Sequence, residues 1–210
     1  MLDHIHWLGH DAFRVDGPTT VFIDPYQIGE DHPKADLILI THDHSDHCSP
    51  EDVERIRGDD TLIVTIKAAA EKLSGNIRIV EPGDTVTVRG IEVEAVPAYN
   101  VNKFRSPGQP FHPKEAGHVG FVITMGGERI YHAGDTDHIP EMADLEAVDI
   151  ALLPVSGIYV MTAAEAVEAA RTIEPGVAVP MHVGRDIGSP DAAATFEANA
   201  PVDVVILEME

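Results

Sequence analysis

Apolar and polar positions along this chain change over in short runs. Residues 4–8, 12–15 and 20–23 are apolar or β-branched, and Gly9 and the Asp16-Gly17-Pro18 turn separate them, which predicts three short strands. Residues 35–41 are denser. Leu37-Ile38-Leu39-Ile40-Thr41 is the unbroken apolar run of a strand covered on both faces, so the polar stretch from His42 to His47 must be a loop at its C-terminal end. Further strands are expected at 61–65, 77–80, 85–88, 91–97, 118–125, 129–131, 150–154, 178–180 and 202–208.

Helix signals fall between these strands. Ser49-Pro50-Glu51-Asp52 places a capping hydroxyl, a proline at the first helical position and acids in the first turn. A short helix at 67–72 follows the strand at 61–65. Thr162-Ala163-Ala164-Glu165 is a capping box, and Ala163, Ala166, Val167, Ala170 and Ile173 form one apolar helix face behind it. Ser189-Pro190 opens the last helix, which contains 192–196. Residues 98–117, broken by Pro107, Pro110 and Pro113, have no period, and an irregular segment of that length in a compact protein is usually functional.

Helices follow strands in both halves, and hairpin-like runs occupy the rest. An α+β fold, with two mixed sheets packed together and helices on the outer faces, accounts for this order better than one doubly wound sheet. No repeat, low-complexity tract or linker divides the chain, so 1–210 reads as one domain. With 44% hydrophobic residues, it can fill a core without a staple.

Charge narrows the partners. Against 36 acidic residues stand 14 basic ones, a formal net charge of −22, and Arg55, Arg57, Lys67, Lys72 and Arg78 are scattered. Such a surface repels nucleic-acid phosphates and anionic membranes, so neither is expected as a partner. No run approaches the roughly 18 apolar residues of a membrane span. The opening MLDHIHWLGHDAF carries charges and histidines too early for a signal peptide. The lone Cys48 cannot close an intrachain disulfide, and a cytoplasmic location is expected. Although Cys48 follows His47, it reads as a buried bystander. A small-molecule substrate is the expected partner; a homo-oligomer, which the charge opposes without an apolar patch, is left open.

The candidate chemistry begins at Thr41-His42-Asp43-His44-Ser45-Asp46-His47. Four groups of metal-ligand type, His42, His44, Asp46 and His47, fall within six residues just after a buried strand. Neutral imidazole and carboxylate together suit zinc, with manganese or iron as alternatives. One ion cannot use all four and leave room for substrate, so His42 and His44 are assigned to one ion and Asp46 and His47 to a second. Tyr131-His132-Ala133-Gly134-Asp135 repeats the pattern of apolar strand and polar end, and the Asp135 carboxylate could bridge two ions roughly 3.5–4 Å apart. Ala178-Val179-Pro180-Met181-His182 repeats it again and offers His182 to the second ion. The residues alone leave His112 and His118 open as the further ligand of the first.

Together these pieces resemble the metallo-β-lactamase superfamily. His42-Asp43-His44-Ser45-Asp46-His47 matches its His-x-His-x-Asp-His signature, and Gly9-His10, Ile23-Asp24-Pro25, Gly134-Asp135-Thr136 and His182 extend the likeness over nearly the whole chain. The resemblance implies a four-layer αββα sandwich with two metals at one edge of the paired sheets. It assigns His42, His44 and a third histidine to one metal, Asp46, His47 and His182 to the other, and Asp135 to both. The chain is most similar to the small metal-dependent hydrolases near the ascorbate-phosphate lactonases, where Phe111-His112-Pro113-Lys114 matches a recurring feature; this selects His112. One departure is that Ala98-Tyr99-Asn100 stands where a Gly-His motif is usual.

The implied activity is hydrolysis of a small ester, lactone or phosphodiester by hydroxide held between two divalent ions, zinc first. Asp46 would orient the water, His10 would protonate the leaving group, and Asp24 would support a ligand histidine. Tyr99, Asn100, Lys103, Arg105 and Tyr159 are candidates for substrate contact. The alternative is a non-catalytic metal-binding structural or regulatory protein. An open cavity above the ligands would separate the two readings.

Overall fold

The computed structural model describes residues 2–184 and 187–210. The first sheet runs β1 (Ile5–Gly9), β2 (Ala12–Val15), β3 (Val21–Ile23), β4 (Ala35–Ile40), β5 (Arg57–Thr65) and β6 (Asn76–Ile79), in that spatial order. Strands β1 to β3 pair antiparallel and β3 to β6 parallel, so the sheet is mixed. Leu37 to Ile40 are fully buried, as the unbroken apolar run requires. Helices α1 (Pro50–Ile56) and α2 (Lys67–Ala70) connect the parallel strands. Ser49 caps α1 by accepting from the Asp52 N–H.

The second half begins with β7 (Thr85–Val88) and β8 (Ile91–Pro97), and a separate hairpin follows of β9 (Phe104–Ser106) and β10 (Gln109–Pro110). Then come β11 (Val119–Met125), β12 (Glu128–His132), β13 (Ile150–Pro154), α3 (Ala163–Ile173), β14 (Val177–Met181), α4 (Pro190–Asn199) and β15 (Asp203–Val204). The second sheet has the order β15-β14-β13-β12-β11-β8-β7, parallel from β15 to β12 and antiparallel beyond. Both halves of the Thr162–Glu165 capping box form at the start of α3, which packs against α4 and β13. The architecture is two mixed sheets flanked by helices, the α+β sandwich expected, and buried residues of both sheets join in one core.

Some boundaries differ. Strand β5 begins at Arg57, because Gly58 N–H and Thr61 Oγ1 are satisfied locally before the apolar run starts. The expected strand over 202–208 shrinks to Asp203–Val204, which pair with Val177 and Ala178 of β14. Within 98–117, the Pro107-Gly108 turn closes the β9–β10 hairpin, with Gly108 at φ 74°.

What matters for function is where the sheets meet. Val119 N–H donates to the Thr41 carbonyl (3.2 Å), and His182 N–H to the His10 carbonyl (3.2 Å). These bonds stitch the ends of β1, β4, β11 and β14 together. The C-terminal ends of parallel strands are the usual place for a site in such sheets.

Candidate metal centre

Loops after β1, β4, β12 and β14, and the segment before β11, deliver the polar side chains to this seam. Two groups form. His42, His44 and His112 bring one nitrogen each within 4.8 Å of one another. His47 and His182 gather with Asp135, and His10 and Asp11 each lie within the same range of that pair. The groups adjoin: His112 Nε2 is 3.3 Å from His44 Nδ1 and 3.2 Å from Asp135 Oδ2. The other Asp135 oxygen, Oδ1, lies 3.3 Å from His47 Nε2 and 3.4 Å from His182 Nε2. Asp135 thus turns one oxygen to each group.

The histidine tautomers follow from their outer partners. Asp24 accepts the Thr41 N–H (2.8 Å), the Thr41 hydroxyl (2.6 Å) and His47 Nδ1–H (2.8 Å). With its proton committed to Asp24, the Thr41 oxygen can only accept from His42 Nδ1, at 3.0 Å. Asn100 Oδ1 accepts from His112 Nδ1 (2.9 Å), and the Ser156 hydroxyl, which donates to the Ile158 carbonyl, accepts from His182 Nδ1 (2.9 Å). In all four rings the proton therefore sits on Nδ1 and the Nε2 lone pair points inward. His42 Nε2, His47 Nε2, His182 Nε2 and Asp135 Oδ1 are buried without a hydrogen-bond partner. A buried polar atom left unsatisfied is costly, and four converging lone pairs on nitrogen and oxygen are what a divalent ion would satisfy. The residues fit a pair of metals.

Electrostatics without metal agree. Burial would raise Asp135, but His47, His182 and His112 outweigh it and hold the carboxyl well below the usual range. Burial would lower His47, but Asp135 and Asp24 hold it well above. Burial pushes His42 well down, with His47 adding to the effect. Asp135 thus favours positive charge on His47, while burial keeps His42 neutral and able to coordinate.

Asp46, assigned from the sequence to the second ion, belongs to neither group; its Oδ2 lies 3.4 Å from His10 Nε2 and 3.9 Å from His47 Nε2. Both His10 nitrogens lack a hydrogen-bond partner. His118 is set back: its ring stacks on His42 at 4.9 Å, its Nε2 lies 3.9 Å from Asp43, and it belongs to neither group. Cys48 is buried, with its sulfur 3.9 Å from the Ala69 carbonyl and its thiol pushed up by burial to about 11. Asp43 pairs with Lys72 on the outside.

Of the proposed substrate-contact residues, Arg105 and Tyr159 line a cavity of about 320 Å3 whose floor is His44, Asp46, His112 and Asp135. Tyr99 instead bonds Glu141, and Lys103 is tied to Glu165 and Asp137. Asn100 sits behind His112. A larger hollow, about 500 Å3 beside Lys67, Glu71 and Glu115, contains none of the clustered histidines. Sequence reasoning missed Asp11, fully buried with both oxygens unpartnered, and Ser156 behind His182. Ser156 had a signal, since it follows the apolar strand at 150–154 as the other site residues follow theirs. Backbone strain gathers here too: His10, Asp24, Tyr159 and His182 all have positive φ (53°, 43°, 67° and 59°).

The family model described as the beta-lactamase superfamily domain matches residues 4–182, which include every clustered residue. The chain belongs to the metallo-β-lactamase superfamily. Within it, the chain falls in the UPF0173-like branch. It is 38% identical to the UPF0173 metal-dependent hydrolase of Thermoplasma acidophilum, over 85% of this chain and 82% of the relative. It is 35% identical to that of Methanopyrus kandleri, over 97% and 96%. A Parabacteroides distasonis structure, provisionally named a metal-dependent hydrolase, superposes with a TM-score of 0.85 at 35% identity, over 98% of this chain and 93% of that one. Igni18 of Ignicoccus hospitalis shares the fold at a TM-score of 0.74 and 24% identity, over 97% and 94%. Fold, family and two adjacent chelating clusters make this metallo-β-lactamase superfamily chain a metal-dependent hydrolase. Among the described residues, no helix is long and apolar enough to cross a membrane.

Proposed function

We propose that this protein hydrolyses a small ester, lactone or phosphodiester with two divalent ions, zinc first. His42, His44 and His112 would hold one ion, Asp46, His47 and His182 the other, and Asp135 both. The observation that carries this is the Asp135 carboxylate, with Oδ1 toward His47 and His182 and Oδ2 toward His112. Imidazole and carboxylate donors, without thiolate, suit zinc, manganese or iron. Bound at these residues, such a pair would acidify a water molecule and offset charge on the substrate oxygen.

The chain's own groups divide the remaining work. Asp24, Thr41, Asn100 and Ser156 hold the four rings in one tautomer and one orientation, so no reorganisation is needed on binding. Asp46 forms part of the cavity floor, where its carboxylate accepts a hydrogen bond from the attacking water. His10, with Nε2 3.4 Å from Asp46 Oδ2, would protonate the leaving group. The cavity over the cluster supports turnover rather than a purely structural metal site. Lactones and phosphodiesters both present an electrophile to the same floor; the ascorbate-phosphate lactonase likeness adds lactones to the substrates to be tried first.

A screen of metal-loaded protein against lactones, thioesters and phosphodiesters tests the proposal, with Asp135→Ala as background. Turnover of one class, lost in Asp135→Ala, is the expected result. Turnover equal in both proteins would contradict it.

A further inference from the structure

Among the described residues, the cavity above the histidine cluster contains one cationic side chain in its lining, Arg105, and no acid pairs with it. That is unusual for this chain, where acidic residues outnumber basic ones 36 to 14. Arg14, Arg55, Arg57, Arg89, Arg129 and Arg171 each pair with a carboxylate, and among the described arginines exposed Arg78 alone shares with Arg105 the lack of one. Lys103, two residues before Arg105, shows the contrast most closely: its ammonium is held by Glu165 at 2.7 Å and Asp137 at 3.4 Å. Among the described residues, Arg105 has no such partner, although Asp46 and Asp135 belong to the same cavity.

An aromatic ring holds Arg105 in place instead. Its guanidinium carbon lies 5.4 Å from the centroid of Phe111, the residue after β10. A guanidinium resting on a ring keeps its N–H edge free, and that edge matches the two oxygens of a carboxylate or phosphate. Phe111 also meets Tyr159 edge to face at 4.7 Å, so the two rings form one apolar wall. Tyr159 is 41% exposed and adopts φ 67°, with its carbonyl held by Asn100 Nδ2 at 2.8 Å. A strained, exposed aromatic fixed by a buried amide is a built surface.

We propose that this cavity selects a substrate with a flat apolar body and one oxyanion, the oxyanion held by Arg105 and the body lying on Phe111 and Tyr159. The bond to be broken then sits over His112 and Asp135. This substrate class rests on the hydrolase reading above, and Arg105 is its specificity residue. A neutral substrate of the same shape lacks the charge-assisted contact and leaves the guanidinium unpaired.

The test uses metal-loaded protein and three ligands. Phenylacetate, phenylphosphonate and neutral 2-phenylethanol are titrated calorimetrically into wild type, Arg105→Met and Arg78→Met. Arg78 lies on β6 outside this cavity and controls for the lost charge. Arg105→Met should weaken one or both oxyanions by roughly 10- to 100-fold and leave 2-phenylethanol within about twofold, while Arg78→Met changes nothing. Whichever oxyanion loses more identifies the group as carboxylate or phosphate. Equal oxyanion affinity in wild type and Arg105→Met, including no measurable binding to either, overturns the proposal, as does an equal loss in Arg78→Met. Hydrolysis of the mono-4-nitrophenyl ester of glutarate is followed in parallel. No turnover beside an intact binding difference removes the ester part of the proposed substrates and keeps the subsite; turnover unaffected by Arg105→Met, with equal binding, does the reverse.

Discussion

Asn100 Nδ2 donates to the Tyr159 carbonyl at 2.8 Å, while Oδ1 of the same side chain accepts from His112 Nδ1 at 2.9 Å. One amide therefore fixes both a metal-directed ring and the strained cavity wall. Replacing it by Ala removes these two bonds and a third, from the His112 N–H to Oδ1, and the first ion should bind roughly 10- to 100-fold more weakly. Asn100→Asp keeps an acceptor for His112 but cannot donate to Tyr159. That variant should retain both metals and show a KM raised about 10-fold, with kcat little changed. Metal titration beside steady-state kinetics distinguishes the two outcomes.

Asp24 collects three donors, from Thr41 and His47, in full burial. Asn at this position turns an N–H toward one of those donors. We expect Asp24→Asn to lose about 3 kcal/mol of stability and to free the His47 ring, as seen by urea denaturation and by metal content. Unchanged metal content would show that Asp24 does not orient His47.

Gly120 in β11 has no room for a side chain: a Cβ there would stand 2.7 Å from the His132 carbonyl and 2.8 Å from that of Ala133. Both neighbours are backbone next to the Asp135 turn. Gly120→Ala should cost about 2–4 kcal/mol and lower metal affinity as β12 shifts, measured by urea midpoint and metal titration.

Glu165 gives a pH dependence away from the cluster. Burial opposes its charge, but Lys103, the Thr162 N–H and Asn102 overcome this and lower the carboxyl to about 2. A depressed folded value means the stabilisation is complete above the unfolded value of about 4.3 and is lost as pH falls toward 2. Discounted for partial exposure, it amounts to about 1–2 kcal/mol. Glu165→Gln should therefore be less stable than wild type at pH 7, with the gap between their urea midpoints closing from pH 5 to pH 3. A gap that stays constant with pH would contradict the ion pair.

Much of this was readable in the sequence, where a local rule decides the outcome. Ser49, the Thr162–Glu165 box and the 37–41 run each state their structure within a few residues, and they formed as read. The histidine-rich loop was legible for the same reason, since His42, His44, Asp46 and His47 sit together in the chain. What could not be read depends on distant partners. Only the family likeness of Phe111-His112-Pro113-Lys114 favoured His112 over His118; the physical reason, Asn100, twelve residues before His112, accepting the His112 Nδ1 proton, is not visible in the sequence. Asp11 looks like a strand-end turn residue until β1 and β14 close over it. Lys103 and Arg105 are alike in sequence, and only α3, carrying Glu165, separates a tethered cation from a free one.

Metal counting is the most direct measurement. Wild-type protein and Asp135→Asn are dialysed against zinc and their bound metal measured by mass spectrometry. Wild type should hold two ions per chain and Asp135→Asn no more than one, because the shared carboxylate joins the two groups of histidines. Two tightly held ions in the variant, or fewer than two in wild type, would contradict a dinuclear centre built on Asp135.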